Sequence, residues 1–184
     1  MSDAGNTKEN AVLVIVDVQE AFRSAIPDFA LIASRISTAV RGFELLGVPI
    51  VVTEQYPKGL GRTAEEILFG LEKEVAILEK STFSSCGEPA FIEALEKENA
   101  GRIYLCGIET HICVTQTALD LIERGFDVHL LSDCVASRFD HDKEAGTRRL
   151  FAAGAVSSSV EMALFETMRD SKHPKFREVQ ELIK

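Results

Sequence analysis

The stretch CGIETHICVTQTALD, Cys106 to Asp120, decides how this chain folds. The apolar run IYL (Ile103–Leu105) leads into it, and a helical pattern leaves it. Val114, Ala118, Leu121 and Ile122 recur at helical spacing, and Gly125 stops the pattern. A strand therefore hands over to a helix. The turn between them carries Glu109, His111 and Cys113.

The same alternation runs along the chain. AVLVIV (Ala11–Val16), VPIVVT (Val48–Thr53), RIYLCG (Arg102–Gly107), DVHLLS (Asp127–Ser132) and AVSSSV (Ala155–Val160) are short, continuous and rich in β-branched residues. Such runs suit strands buried on both faces of a parallel sheet. VAILEK (Val75–Lys80) is a weaker sixth. Between them lie helical patterns over Phe29–Phe43, Pro89–Asn99, Cys113–Arg124 and Lys143–Ala153, closed by Gly47, Gly101, Gly125 and Gly154. Strand, helix and glycine stop in rotation predict an open, doubly wound, Rossmann-like α/β sheet with right-handed crossovers. We expect one domain over residues 1–184, with residues 1–10 flexible and a helical segment over residues 160–184.

Composition narrows the function. The 184 residues are 46% hydrophobic and carry a net charge of −9, so nucleic acid and anionic membranes are disfavoured partners. No apolar run approaches the roughly 18 residues of a membrane span. The N-terminal residues MSDAGNTKEN have no apolar stretch, and Cys86, Cys106, Cys113 and Cys134 form no CxxC pair. A cytoplasmic protein with free thiols is expected. Cys106 and Cys134 read as core residues and Cys86 as a loop thiol. The tail holds Met162, Phe165, Phe176, Val179 and Ile183, enough apolar surface for a homo-oligomer contact or for covering its own sheet.

In such a sheet the site lies beyond the carboxyl ends of the strands. Asp17, Lys80 and Cys113 all arrive there. A thiol attacks as its thiolate, and a helix start beside a lysine favours that form. On this reasoning Cys113 should react with alkylating agents already at mildly acid pH. Asp17 can take the thiol proton and return it to a leaving amine, and main-chain N–H groups can hold an oxyanion. Each residue also has a plainer reading: Asp17 as a cap, Lys80 as a solvated cation, Cys113 as a small core side chain. GLGR (Gly59–Arg62) lacks the phosphate-loop and dinucleotide patterns, so it reads as a turn. His111-x-Cys113 lacks the further ligands a metal site needs.

Three motifs in order, VLVIVDVQEAF, EKSTFSS and GIETHICVTQTALD, resemble the isochorismatase-like cysteine hydrolase family. EQYPKGLG and SSVEMALFETMRDSKHPKF resemble its isochorismatase-domain subgroup, so the resemblance spans nearly the whole chain. It implies a three-layer αβα fold with a largely parallel, six-stranded sheet. It implies a triad in which Asp17 is the base, Cys113 the nucleophile and Lys80 the electrostatic partner. It also implies a non-proline cis peptide between Ile108 and Glu109, aiming the N–H groups of Glu109 and Cys113 at a developing oxyanion. Gln19, Phe22, Tyr56 and His111 are candidate substrate-binding residues. Gln19 can alternatively hold its loop, Phe22 pack in the core, and His111 pack at an interface. Relatives that bind a metal carry Asp and His after the second strand, whereas TEQYPKGLG has no histidine. The expectation is therefore a metal-independent hydrolase of an amide-type C–N bond in a small molecule, with no cofactor and a thioester intermediate. The alternatives are a non-catalytic ligand-binding or scaffold protein, a vinyl-ether hydrolase of the isochorismatase type, and a nucleotide binder.

Overall fold

A computed structural model describes residues 10–71, 75 and 77–184. The expectation of a flexible N-terminus falls, apart from Asn10, outside the described residues. Six strands form one all-parallel sheet in the order β3-β2-β1-β4-β5-β6. They are β1 Ala11–Val16, β2 Ile50–Gln55, β3 Ile77–Lys80, β4 Arg102–Ile108, β5 Asp127–Ala136 and β6 Val156–Ser158. The helices are α1 Phe29–Leu45, α2 Pro57–Leu60, α3 Glu65–Leu68, α4 Pro89–Lys97, α5 Thr115–Glu123, α6 Asp140–Ala152, α7 Val160–Met168 and α8 Phe176–Ile183. The chain winds outward from β1 to β3, then returns to lay β4 against the free side of β1. That reversal opens a crevice between the carboxyl ends of β1 and β4.

The period of two along the strands sorts the core into two layers. Leu13 and Ile15 of β1 pack with Ile36, Val40 and Phe43 of α1 and with Leu164 and Val179 of the C-terminal helices. Val12, Val14 and Val16 face the other way, onto Phe91 and Leu95 of α4, Ala118 and Leu121 of α5, and Leu150 of α6. This is the three-layer αβα arrangement. Val179 is fully buried and Phe176 and Ile183 pack on the α1 layer, so much of the apolar tail covers its own sheet. Met162 and Phe165 stay exposed. No helix among the described residues is long and apolar enough to cross a membrane.

The boundaries of β2, β5 and β6 differ from expectation for local reasons. β2 starts at Ile50 rather than Val48, after Pro49, which has no N–H to give a ladder. It runs on to Gln55 because Glu54 and Gln55 find polar partners at its end. β5 continues past Ser132 to Ala136 through an irregularity in its pairing with β4. The polar Asp133 that interrupts its apolar run accepts from Arg35 Nε (2.8 Å) and from Val160 N–H at the start of α7 (3.0 Å). β6 ends at Ser158, because Ser159 caps α7 by accepting from Met162 N–H at 3.3 Å.

Candidate active site

Asp17 follows β1 directly and turns out of the strand with φ 54°. Its N–H donates to Thr53 O (3.1 Å), which ties the turn to β2. Its carboxylate is buried and receives two donors. Thr53 Oγ1 reaches Oδ1 at 2.8 Å, and Lys80 Nζ reaches Oδ2 at 2.6 Å. Lys80 ends β3, and its ammonium also donates to Gln55 Oε1 (2.8 Å), Thr82 O (3.0 Å) and Phe83 O (3.1 Å). An ammonium has three protons, so these acceptors saturate it. Lys80 is a fixed buried cation with no proton left over for a ligand.

Cys113 comes to the same edge from β4. Gly107, near the end of that strand, has φ 129°, and a Cβ there would lie 2.1 Å from Val16 O. Only glycine lets β4 come this close to β1 at the crevice. The Ile108–Glu109 peptide is cis, at the bond where the resemblance places it. A wide turn over Thr110–Val114 follows, in which Val114 N–H reaches back five residues to Glu109 O (3.3 Å), and α5 begins at Thr115. Cys113 therefore lies in this wide turn, ahead of the α-helix proper. Its side chain is only 8% exposed.

The expected thiolate is not the resting form. Burial pushes the Cys113 thiol up to about 12. The Asp17 carboxylate raises it further, as a neighbouring negative charge and as an acceptor for the thiol proton. Lys80 pulls the other way and is outweighed. The physical reason is that Lys80 is already paired with Asp17, so the two present almost no net positive charge to the sulfur. Cys113 is a neutral thiol facing a carboxylate. Cys86 lies in a loop as expected, buried in the turn Ser85–Gly87, with its thiol pushed up to about 11 by burial. Cys106 and Cys134 lie in the core as expected, and all four cysteines are free.

The other turn residues point to the β5–α6 loop. The Glu109 carboxylate is buried and accepts from Arg138 N–H (2.9 Å) and Arg138 Nε (3.0 Å) within the same chain. His111 Nδ1 lies 3.0 Å from Ser137 Oγ, and its Nε2 lies 3.8 Å from Asp142. α6 presses against this turn so closely that a Cβ on Gly146 would sit 2.9 Å from His111 Cα.

Gln19, read as either a substrate contact or a holder of its loop, spends its amide on the loop. It is fully buried, its amide donates to Gln55 O (3.0 Å) and Gly61 O (2.7 Å), and it accepts from Gln55 N–H (2.8 Å). Glu54 helps from the other face by accepting from Thr63 N–H and Oγ1. Phe22, the second expected substrate contact, is partly buried and packs against the α1-side core. Tyr56 is exposed and stacks on its own loop at Gly59. With Pro57, Lys58, Glu79, Ser81 and Glu88 it walls a pocket of about 330 Å³ beside Lys80. A groove of about 460 Å³ lies at the opposite, amino end of β2, around Val48, Pro49 and Ile50, away from this polar edge. Gln55 reads in the sequence as one of the polar residues just after the second strand, with no role assigned to it, and Thr53 and Arg138 were not among the sequence candidates. Thr53 reads as a strand-end residue, and no spacing rule pairs Arg138 with Glu109. Among the described residues, no group of three or more His, Cys, Asp or Glu side chains is placed to hold a metal ion.

Comparison with known proteins agrees with this architecture. The family profile described as "Isochorismatase domain" matches residues 11–162. "Isochorismatase domain-containing protein 1" of Danio rerio is 39% identical over 95% of this chain, and the chain spans 61% of that relative's length. "Isochorismatase domain-containing protein 2A" of Mus musculus is 38% identical, with 96% of this chain and 84% of the relative covered. Among solved structures, the "MAR1 Ribonuclease from Caenorhabditis elegans" superimposes with a TM-score of 0.91 at 38% identity, covering 96% of this chain and 90% of that one.

Proposed function

The chain belongs to the isochorismatase family, and on that premise we propose that it is a hydrolase that cleaves an amide-type C–N bond of a small molecule through a thioester on Cys113, without a metal ion. One observation carries the reading. A buried thiol faces a carboxylate that is held by a saturated, buried ammonium, at the switch point of the sheet.

The chemistry follows from that placement. Asp17 takes the Cys113 proton as sulfur attacks the substrate carbonyl carbon, so charge moves from one buried group to another beside Lys80. The N–H groups of Glu109 and Cys113 hold the tetrahedral oxyanion. When the C–N bond breaks, Asp17 returns the proton to the leaving amine. Water, deprotonated by Asp17, then attacks the thioester, and the acid leaves as Cys113 recovers its proton. Lys80 stays protonated throughout and keeps Asp17 in place. Tyr56 and the pocket beside Lys80 are where we place substrate selection. At the end of β2, Gln55 is engaged with Lys80 and Glu54 with Thr63, which supports a reaction without a metal there.

The relatives' longer chains make the substrate of the whole protein part of this proposal. The name of the Caenorhabditis elegans neighbour raises RNA as a rival substrate. A net charge of −9 and a saturated site lysine favour a small uncharged amide over a phosphodiester. We also propose a cytoplasmic homo-oligomer, on the four free thiols and the exposed Met162 and Phe165. A panel of small amides and an RNA of mixed sequence, each assayed with EDTA present, tests the reading. Amide turnover that survives EDTA is the expected result. Cleavage of RNA alone, or activity abolished by EDTA and restored by a divalent metal, would overturn it.

A further inference from the structure

The loop between β3 and α4 buries two hydroxyls, Ser84 and Ser85, beside a third on α5, Thr117, and the chemistry above uses none of them. Ser84 Oγ donates to Asp120 Oδ2 (2.5 Å) and accepts from Cys86 N–H (3.2 Å). Ser85 N–H donates to Thr117 Oγ1 (2.9 Å). Thr117 and Asp120 belong to α5, the helix that Cys113 leads into. The loop is knotted as well as anchored. Thr82 Oγ1 donates to Ser84 O (2.8 Å), and a Cβ on Gly87 would sit 2.7 Å from Thr82 Oγ1. The same loop turns the carbonyls of Thr82 and Phe83 onto Lys80 Nζ.

A connection that only had to join β3 to α4 would have no need to bury hydroxyls, because a surface loop finds water for its polar groups. Here each buried hydroxyl is spent on fastening the loop to α5, and the fastened loop ends on Lys80. We propose that Asp120 and Thr117 are positioning residues that act through the Ser81–Glu88 loop to fix Lys80 relative to Cys113. The α5 helix and the turn that leads into it then set the place of both the thiol and the cation. The consequence for thiol reactivity rests on the hydrolase reading; the anchoring itself does not.

The test uses Asp120→Ala, Asp120→Asn, Lys80→Met and the Asp120→Ala/Lys80→Met double variant. For each, the alkylation rate of Cys113 by iodoacetamide is mapped from pH 7 to 10, and urea unfolding is measured on the same preparations. Asp120→Ala is expected to slow Cys113 alkylation at pH 8 by about tenfold, equivalent to a rise of about one pH unit in its titration. Removing a negative charge would by itself speed the reaction, so slowing identifies action through Lys80. Asp120→Asn keeps an oxygen for Ser84 and should restore most of the rate. In the Lys80→Met background, Asp120→Ala should add less than about twofold. An unchanged rate in Asp120→Ala, or equal slowing in both backgrounds, would overturn the proposal. If wild-type Cys113 is inert at every pH, as a buried neutral thiol can be, the unfolding data decide the anchoring, and the hydrolase reading stands or falls separately on amide turnover. Coupling of at least about threefold in the folding equilibrium then supports it, and additivity overturns it.

Discussion

Replacing Lys80 by methionine removes the cation paired with the Asp17 carboxylate and keeps most of the side-chain volume. The two charges lie 2.6 Å apart with side chains 0% and 1% exposed. At an effective dielectric of about 20, their attraction is roughly 6 kcal/mol. Desolvating two ions costs several kcal/mol each, so the intact pair contributes little beyond an apolar substitute. Breaking it is a different matter. Asp17 would keep Thr53 Oγ1 and the weak Cys113 thiol donor but no cation, and Gln55 Oε1, Thr82 O and Phe83 O would lose their Lys80 donor. Stranding a buried charge in this way costs about 3–5 kcal/mol. Urea unfolding at pH 7 should therefore show Lys80→Met less stable by about 4 kcal/mol, a large part of a typical folding free energy of about 5–15 kcal/mol. Asp17→Asn should cost a comparable amount by stranding the ammonium. The Asp17→Asn/Lys80→Met double variant should lose about 3 kcal/mol less than the sum of the singles. A loss below about 1 kcal/mol for Lys80→Met, or additive singles, would refute the reasoning that this pair is the buried frame of the site.

Alkaline stability should report the buried thiols. Cys86, Cys106, Cys113 and Cys134 are all raised by burial above their usual value of 9.0. A folded-state value above the unfolded one gives stability that is complete below pH 9 and lost as pH rises toward about 11 for Cys86 and about 12 for Cys113. Each thiol steepens the fall by about 1.4 kcal/mol per pH unit in that window. Cys134→Ala should flatten the pH dependence of the unfolding free energy from urea titrations between pH 9 and 10.5 by that amount; an unchanged slope would contradict its burial as a neutral thiol. Gly107→Ala should fail more severely than any surface change, because the added methyl meets Val16 O in a backbone conformation that L side chains avoid. A fall in thermal midpoint of more than about 10 °C is expected, and near-wild-type melting would show that β1 and β4 can part at the crevice.

Much of this architecture is legible in local pattern. AVLVIV is the strand Ala11–Val16, because β-branched residues with no polar interruption suit a doubly covered strand. Gly125, at φ 89°, stops α5 as its position suggests. The meeting of Asp17, Lys80 and Cys113 at one sheet edge follows from strand ends alone. What local pattern does not carry is contact between distant segments. Asp133 breaks an apolar run, so β5 reads as ending early. Only the folded chain supplies Arg35 and the start of α7 as its partners. Gln19 is indistinguishable by type from a substrate ligand until the backbone of Gln55 and Gly61 closes on it. The state of Cys113 is the clearest case. A cysteine near a helix start beside a lysine reads as a thiolate, but the balance depends on how deep the sulfur lies and on where the lysine has already spent its charge.

The central claim is that Cys113 carries the acyl group of the substrate. Acid-quenching the protein during turnover of an active amide, then measuring intact mass and mapping the modified peptide, tests it most directly. The account predicts a transient adduct on Cys113, equal to the acyl group replacing the thiol proton, labile to hydroxylamine and absent from Cys113→Ala, which should not turn over. Turnover by Cys113→Ala at the wild-type rate, or an adduct on another residue that forms and decays with turnover, would contradict it.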